Sequence, residues 1–196
     1  MSVTASSTAN MLSFNSFGAN DIIVSGVGSI VTLNGNVTST GTGSFARQNP
    51  TVSSATVDLG GGVRTFTVAG TLTIGTAAAP ITITNGALTK AGTGTLNLTG
   101  PQTYATLNAN DGVTNLNSAL GTGTSVLNAN ATVNIHASQT LAALNIADGV
   151  EVTFGDGLPL AGGPDKFGAP ALAPEPGSAA LLLVGALGVI GRRRRR

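Results

Sequence analysis

The sequence predicts an all-β protein whose main body is a parallel β-helix (β-solenoid), followed by a Gly/Pro-rich linker and a short C-terminal hydrophobic helix. Short β-favouring runs separated by Gly and Asn fill most of the chain, and related motifs recur at short, similar intervals. Charged residues make up only 9% of the chain, against about 25% in ordinary soluble domains. Glu, Lys, Gln and Arg, which favour helices, are therefore scarce outside the C-terminal tail.

The predicted strands are short, and most of them alternate apolar with polar residues. Such alternation places one face of a strand in a core and the other in solvent. Thr and Val favour strands, whereas the Gly and Asn between the runs favour turns. The predicted strands are residues 22–24, 30–33, 57–59, 65–68, 71–74, 81–84, 95–98, 113–116, 132–135, 144–146 and 150–154.

Internal repetition favours a solenoid over a β-sandwich, since short strands alone fit both folds. The heptapeptide LNANDGV at 107–113 returns as LNIADGV at 144–150, and LNAN returns between them at 127–130. Spacings of roughly 17 to 20 residues match one coil of a small β-solenoid, whose rungs lie about 4.8 Å apart. We expect Leu107, Leu127 and Leu144 to form one column, and Asn side chains at turns to stack as amide ladders.

Residues 1–173 are weakly acidic, with four Lys or Arg against seven Asp or Glu, a net charge of −3. These cations are far apart in the sequence, which argues against the clustered basic surface that nucleic acid binding requires. The chain has no Cys, so disulfides and Cys-based metal sites or nucleophiles are excluded. No cofactor is expected, and stability has to come from a repetitive hydrogen-bonded core.

The segments that flank the predicted solenoid at 21–155 differ from it in composition. Residues 1–20 are expected to be irregular. Residues 1–10 lack the basic and apolar regions of a secretory signal peptide, so we expect a fragment of a longer reading frame or a misassigned start. Residues 156–173 are rich in Gly, Pro and Ala and are expected to be a linker. Residues 174–196 form the C-terminal tail.

The strongest motif of the body is LTKAGTGTLNLTGPQTY at residues 88–104. It resembles the autotransporter-associated β-strand repeat, whose pattern is L-x-K-x-G-x-G-T-L-x-L-x-G-x-N-T-Y followed by x-G. The resemblance implies a parallel β-helix of an exported protein, with structural roles at the matched positions. Gln102 replaces the Asn of the repeat and no Gly follows Tyr104 at the usual position, so we expect an altered turn there. The matched residues are Leu88, Lys90, Gly92, Gly94, Thr95, Leu96, Leu98, Gly100, Thr103 and Tyr104.

Elementary stereochemistry assigns roles to several of the matched residues. Gly92 and Gly94 suit tight turns. Leu96 and Leu98 are two positions apart in a strand and therefore point to the same side, into the core. Lys90 is expected to be solvated.

The tail consists of Pro174-Glu175-Pro176, an uncharged stretch at 177–191 and an arginine run at 192–196. A helix made of that uncharged stretch is roughly 22 Å long, shorter than the roughly 30 Å of a bilayer core, so a span depends on snorkelling arginines and bilayer thinning. The positive-inside rule then keeps the C-terminus cytoplasmic and the body outside. The residues of this expected membrane segment and its topology signal are Gly177, Leu181, Leu182, Leu183, Val184, Leu187, Val189, Ile190, Arg192, Arg193, Arg194, Arg195 and Arg196.

The order of these three parts resembles the PEP-CTERM sorting signal of Gram-negative bacteria. The resemblance implies that Pro174, Glu175 and Pro176 are recognised by an exosortase, a membrane protease-transpeptidase, after general secretion machinery has exported the chain. The two prolines favour an extended, accessible segment. The alternative interpretation is a plain C-terminal membrane anchor.

Few residues of the body are candidates for chemistry. His136 is the single histidine, and we interpret it as a surface or turn-edge residue. Asp111 and Asp148 occupy equivalent Asp-Gly positions of the repeat, where Asp serves local hydrogen bonding. Weak calcium sites and a glycosidase carboxylate pair are the alternatives for these two residues.

These features favour an exported structural or adhesion protein of the cell surface or extracellular matrix, not an enzyme. Before processing it would be anchored in the cell envelope by its C-terminus, and afterwards it would lie at the surface or outside the cell. Extracellular polysaccharide is a candidate partner. The alternatives are a fragment of a polysaccharide-active β-helix enzyme, against which the absence of Trp and the single Tyr argue, and a module that binds glycans or calcium.

Overall fold

The computed structural model describes residues 2–3, 7–9, 12–14, 20–24, 28–46, 55–120, 125–155 and 158–161. All regular elements within these ranges are β-strands, and no helix among them is long and apolar enough to cross a membrane. All described residues belong to one unit of the chain, which ends at residue 163. The expected C-terminal helix and the tail at 174–196 lie outside the described residues, so those expectations stay predictions.

The described strands form three sheets, here named A, B and C. Sheet A contains β1 (Ser2–Val3), β4 (Asn20–Val24), β7 (Thr42–Ala46), β10 (Thr71–Ile74), β13 (Thr95–Leu98), β16 (Val113–Leu116), β18 (Thr132–Ile135), β20 (Glu151–Phe154) and β21 (Leu158–Ala161). Sheet B contains β2 (Ser7–Ala9), β5 (Ser29–Leu33), β8 (Ala55–Asp58), β11 (Thr82–Thr84) and β14 (Gln102–Thr103). Sheet C contains β3 (Leu12–Phe14), β6 (Val37–Ser39), β9 (Val63–Val68), β12 (Ala87–Ala91), β15 (Thr106–Ala109), β17 (Val126–Ala129) and β19 (Ala143–Ile146).

As far as β16 the chain winds through the three sheets in the repeating order B, C, A, and from β17 to β20 the described strands alternate between sheets C and A. Each strand up to β20 therefore lies beside the strand one coil earlier. Strand pairs such as β9–β12, β10–β13 and β8–β11 are parallel, and β20–β21 is antiparallel. A parallel ladder of this kind needs a crossover between successive strands, and here the other two sides of the coil provide it. This is the arrangement of a parallel β-helix, as the sequence predicts.

Alternation of side chains along each strand builds the core. Strands β13, β15, β16, β17 and β18 share one pattern, in which the second and fourth residues are buried and the first and third are partly exposed. The buried positions carry mainly Leu, Ile, Val and Ala, which leave water almost completely. Burial of each such side chain stabilises the fold by about 1.5–3 kcal/mol before the loss of chain entropy is counted.

The predicted leucine column is confirmed. Leu107 pairs in register with Leu127, and Leu127 pairs with Leu144, in adjacent hydrogen-bonded strands. The two repeat intervals seen in the sequence are therefore the lengths of two successive coils. Coil length varies along the chain, since the segment from Thr71 to its partner Thr95 is longer than the segment from Thr95 to its partner Val113.

Amide ladders are present, and most of those described lie on the outward faces of the strands, whereas the sequence predicted them at turns. On sheet C, Nδ2 of Asn145 donates to Asn128 Oδ1 at 2.7 Å, and Nδ2 of Asn128 donates to Asn108 Oδ1 at 2.7 Å. On sheet A, Asn134 donates to Asn115 at 2.8 Å, and Asn115 donates to Asn97 at 2.6 Å. A strand position is favoured because in-register parallel strands hold like side chains at one strand spacing.

A turn ladder also occurs, between Asn130 and Asn110 at 3.0 Å. It lies at the corner that leads from sheet C to sheet A. Among the described turns, the sequence expectation of amide ladders holds for this pair, and the strand faces carry the longer columns.

The boundaries of the solenoid differ from those expected at 21 and 155. Strands β1, β2 and β3 lie within residues 1–20 and pair in parallel with the following coil, so that segment is not irregular throughout. Strand β21 lies inside the expected linker, antiparallel to β20. Several other strands were not predicted because they are short or contain Gly, Lys or Ala, and β7 with Gly43 and β12 with Lys90 are examples.

We predict that Leu127→Asp destabilises the chain by at least about 3 kcal/mol, because it buries a charge without a partner between two leucines. Urea unfolding followed by far-ultraviolet circular dichroism measures the change. The matched control is Asn128→Asp on the outward face, which loses one ladder donor and should cost about 1 kcal/mol. Equal losses for the two variants would contradict the inward and outward assignment.

Candidate functional site: the buried lysine corner

The motif at 88–104 forms one coil of the solenoid. It starts in β12 on sheet C, turns at residues 92–94 into β13 on sheet A, and continues through the next corner into β14 on sheet B. Leu96 and Leu98 are fully buried in the core, as expected, and Leu88 is fully buried as well. Thr95 faces outward between its register partners Thr71 and Val113.

Lys90 is not solvated, contrary to the sequence expectation. Its side chain is fully buried, because it occupies the inward position of β12 two residues after Leu88. The ammonium group ends at the corner between sheets C and A. There Nζ donates to the carbonyl oxygens of Ala91 at 3.2 Å, of Gly92, and of Asp111 in the next coil at 2.8 Å.

The lysine therefore links two successive coils from inside the corner. Three acceptors match the three hydrogens of an ammonium group, so the buried donor is satisfied. Burial lowers the pKa of Lys90 below its usual 10.5, and the nearby negative charge of Asp111 partly opposes this shift. The carboxylate of Asp111 is itself exposed and accepts a hydrogen bond from the amide of Gly112 at 2.7 Å.

Gly92 and Gly94 allow this corner to close over the lysine. Gly92 has φ of +79°, a conformation that L-residues with a Cβ rarely adopt, and a Cβ there would lie 2.6 Å from the carbonyl oxygen of Val68. A Cβ on Gly94 would overlap the backbone of Gly70 in the preceding coil. The spacing Lys-x-Gly-x-Gly thus encodes one corner in which a lysine fills the inside and two glycines let the backbones meet.

The second half of the motif forms the corner to sheet B. Gly100 is buried against the backbone of Ile81, and Thr103 is exposed. Gln102 is buried, and its side-chain Nε2 donates to the carbonyl oxygen of Gly100. Tyr104 is buried, and its hydroxyl has no hydrogen-bond partner among the described residues.

The turn after Tyr104 closes without the glycine of the repeat pattern. The amide of Ala105 donates to the carbonyl oxygen of Gly86 in the preceding coil at 2.8 Å, and Ser125 Oγ donates to the carbonyl oxygen of Tyr104 at 2.8 Å. Ser125 is the residue that sequence reasoning missed here, since a lone Ser beside a turn gives no signal of a contact with the preceding coil.

The other candidate residues of the body are not brought together. His136 is exposed, which confirms its interpretation as a surface or turn-edge residue. Asp111 and Asp148 are exposed in turns that follow β15 and β19, and β17 lies between these two strands, so the two carboxylates are not on adjacent rungs. Within the described ranges, no group of three or more His, Asp or Glu residues could hold a metal ion.

The sorting residues Pro174, Glu175 and Pro176 and the membrane residues at 177–196 lie outside the described residues. No protein-family model matches the chain, and comparisons with curated proteins and with solved structures find no match either. The resemblances noted in the sequence therefore rest on the quoted motifs alone. The corner around Lys90 has a structural role, because the lysine holds two successive coils together through their carbonyl groups.

We predict that Lys90→Met lowers the free energy of unfolding by about 2–4 kcal/mol, although it removes a buried charge. Methionine fills a similar volume but leaves the three corner carbonyls without their donor, and buried unsatisfied groups cost about 1–3 kcal/mol each. Arg64→Met is the matched control. Its guanidinium is only partly buried and donates to one carbonyl, that of Leu33, so its loss should be about 1 kcal/mol.

The same variant tests a pH dependence whose sign follows from burial. The pKa of Lys90 is lower in the folded chain than its usual 10.5, so the unfolded chain holds this proton more strongly. The contribution of Lys90 to stability therefore increases as the pH rises from the folded pKa to 10.5. The stability difference between wild type and Lys90→Met should grow over this alkaline range, and a constant difference would contradict the buried position.

We predict that Tyr104→Phe is neutral or stabilising by up to about 1 kcal/mol, because it removes a buried hydroxyl without a partner among the described residues. Burial raises the pKa of Tyr104 above its usual 10.0, so the folded chain keeps this proton where the unfolded chain loses it. The wild type should therefore lose stability as the pH rises above 10.0, and Tyr104→Phe should lose less. Urea melts at several alkaline pH values measure both effects, and a strongly destabilised Phe variant would show that the hydroxyl is satisfied.

Proposed function

We propose that this chain is an exported structural or adhesion protein of the cell surface or extracellular matrix, sorted and processed through its C-terminal tail. The supporting observation is the pairing of two features in one chain. One is the ladder of sheet A, which is parallel from β1 to β20, and the other is the tail with Pro-Glu-Pro, an apolar stretch and an arginine run. The parallel ladder is suited to forming a rigid spacer, and the tail resembles a sorting signal for the cell envelope.

The length of the ladder and the bonds between its coils support this proposal. The nine strands of sheet A extend over about 38 Å at about 4.8 Å per strand. The chain has no Cys, so an oxidising environment finds no thiol to modify. Repeated backbone bonds and the amide ladders hold successive coils together in place of disulfides.

The outward faces are suited to contact with uncharged polar polymers. The sheet A face carries the column Thr73, Asn97, Asn115, Asn134 and Thr153, whose side chains are hydrogen-bonded to one another in sequence. Each amide in such a ladder keeps one N–H and one lone pair for an external group. This chemistry favours adhesion to neutral glycans over binding to nucleic acid.

The proposed roles of the tail follow from its order. Pro174, Glu175 and Pro176 form the recognition element for an exosortase-type enzyme, the stretch at 177–191 enters the membrane, and the run at 192–196 keeps the C-terminus in the cytoplasm. Cleavage near Pro176 would then separate the solenoid from the membrane segment. The plain anchor remains the alternative, and it predicts that the arginines stay attached.

We predict that the mature protein from a native host ends close to Pro176 and lacks residues 177–196, as measured by intact mass. Changing Pro174 and Pro176 to Ala should leave most of the chain uncut and membrane-bound, because the recognition element is lost. Changing Pro164 and Pro170 to Ala is the matched control in the same region and should leave processing unchanged. Mature chains that retain the arginines, or a control that is equally uncut, would contradict the proposal.

A further inference from the structure

A surface pocket with a volume of about 280 Å³ lies at the corner where the chain leaves sheet A, near the C-terminal end of the solenoid. It is formed by the residues that follow β18 and by the end of β20. The lining residues are Ile135, His136, Ala137, Ser138, Phe154 and Gly155.

Several backbone polar groups of the lining residues are already hydrogen-bonded within the solenoid. The amide of Gly155 donates to the carbonyl oxygen of Ile135 at 2.8 Å, and the amide of His136 donates to Leu116 at 2.8 Å. The carbonyl oxygen of Ala137 accepts from Gln139 Nε2 at 3.0 Å. These bonds tie the lining segments of β18 and β20 to each other and to the preceding coil, and the lining side chains offer further groups to a ligand.

These side chains form an amphipathic surface. Phe154 packs against the core and is partly exposed, so part of its ring is open to a ligand. His136 and Ser138 are exposed and offer an imidazole and a hydroxyl, both able to donate and to accept hydrogen bonds. None of the lining residues is Asp, Glu, Lys or Arg, so the pocket has no fixed charge to attract an ionic ligand.

We propose that this pocket binds one pyranose ring of a neutral glycan. A pyranose has an apolar C–H face, which suits the ring of Phe154, and equatorial hydroxyls, which suit His136 and Ser138. Ligand pockets span about 300–1,000 Å³, and this pocket of about 280 Å³ is slightly smaller, so it holds a single ring and not a longer segment. The inference rests on the proposed function, since it names the partner class of a surface adhesion protein.

The neighbouring outward column can receive the next sugar of the same chain. Asn134 and Thr153 directly precede Ile135 and Phe154, and Thr153 Oγ1 donates to Asn134 Oδ1 at 2.7 Å. The hydrogen-bonding groups of this column therefore lie directly beside the pocket. A purely apolar ligand would gain no hydrogen bonds from this column, whereas a neutral polyol would gain them.

The test uses the single histidine as its own reporter. Proton NMR of the full chain shows the Hε1 and Hδ2 resonances of one imidazole only, because His136 is the only histidine. The sample is kept in phosphocholine detergent, which carries no sugar headgroup. The probes are neutral disaccharides of glucose, galactose, mannose and N-acetylglucosamine, with inorganic phosphate as the anion control.

We expect at least one disaccharide to shift the His136 resonances saturably, with a Kd of about 0.1–10 mM for a single shallow ring site. Ser138→Ala should weaken this binding about 3- to 10-fold through one lost hydrogen bond. Thr140→Ala is the matched control, since Thr140 is an exposed hydroxyl residue two positions away that does not line the pocket. Phe154→Leu should abolish saturation while the far-ultraviolet circular dichroism stays that of the wild type.

Three results would overturn the inference. The first is the absence of a saturable shift with all four disaccharides up to about 100 mM, a concentration that saturates any millimolar site. The second is a saturable shift with phosphate alone, which would make this an anion site. The third is saturation by a sugar that neither Ser138→Ala nor Phe154→Leu alters. Binding is measured on purified chain, so a failure of sugar binding does not affect the sorting proposal. Conversely, chain that stays unprocessed in the host would contradict the sorting proposal and would not affect the sugar site.

Discussion

The close contact between backbones at the corner from sheet C to sheet A is the constraint on which the fold depends. The carbonyl oxygens of Gly41, Gly70 and Gly94 each accept the amide of the residue that begins a sheet A strand in the next coil, and these residues are Thr71, Thr95 and Val113. Side chains at Gly70 and Gly94 would hold the coils apart. Lys90 completes the corner from inside by joining carbonyls of two coils, which keeps these rungs in register.

The C-terminal edges of the sheets are closed by different devices. Sheet A ends with the antiparallel strand β21, whose Pro159 lacks a backbone N–H. Sheet B ends at the bridge between Gln102 and Leu120, where the side chain of Gln139 accepts from the Leu120 amide and donates to Ser118 at 3.1 Å. The side-chain amide of Gln139 thus makes the hydrogen bonds that a further strand would otherwise make. Both devices limit strand addition by other chains, a hazard for any exposed ladder.

Much of this fold could be predicted because it repeats. The alternation of β11 and β13 and the recurrence of LNAN indicated the strand positions and the leucine column, since in-register stacking brings like residues together. The burial of Lys90 could not be predicted, because lysine is usually exposed and its three acceptors come from a turn and from the next coil. The pocket at His136 was also missed, because Phe154 lies a full coil further along the chain.

The most direct test of the in-register ladder is disulfide trapping. The chain has no native Cys, so only the introduced cysteines can form a disulfide. Thr71→Cys with Thr95→Cys joins partners across a long coil, and Thr95→Cys with Val113→Cys joins partners across a shorter one. In both pairs the Cα atoms should lie about 5 Å apart, within the range that a disulfide spans. The in-register ladder predicts that both pairs oxidise completely in the folded chain and that Thr71→Cys with Asn97→Cys, two positions out of register, does not. Oxidation of the out-of-register pair, or failure of either register pair, would contradict the ladder.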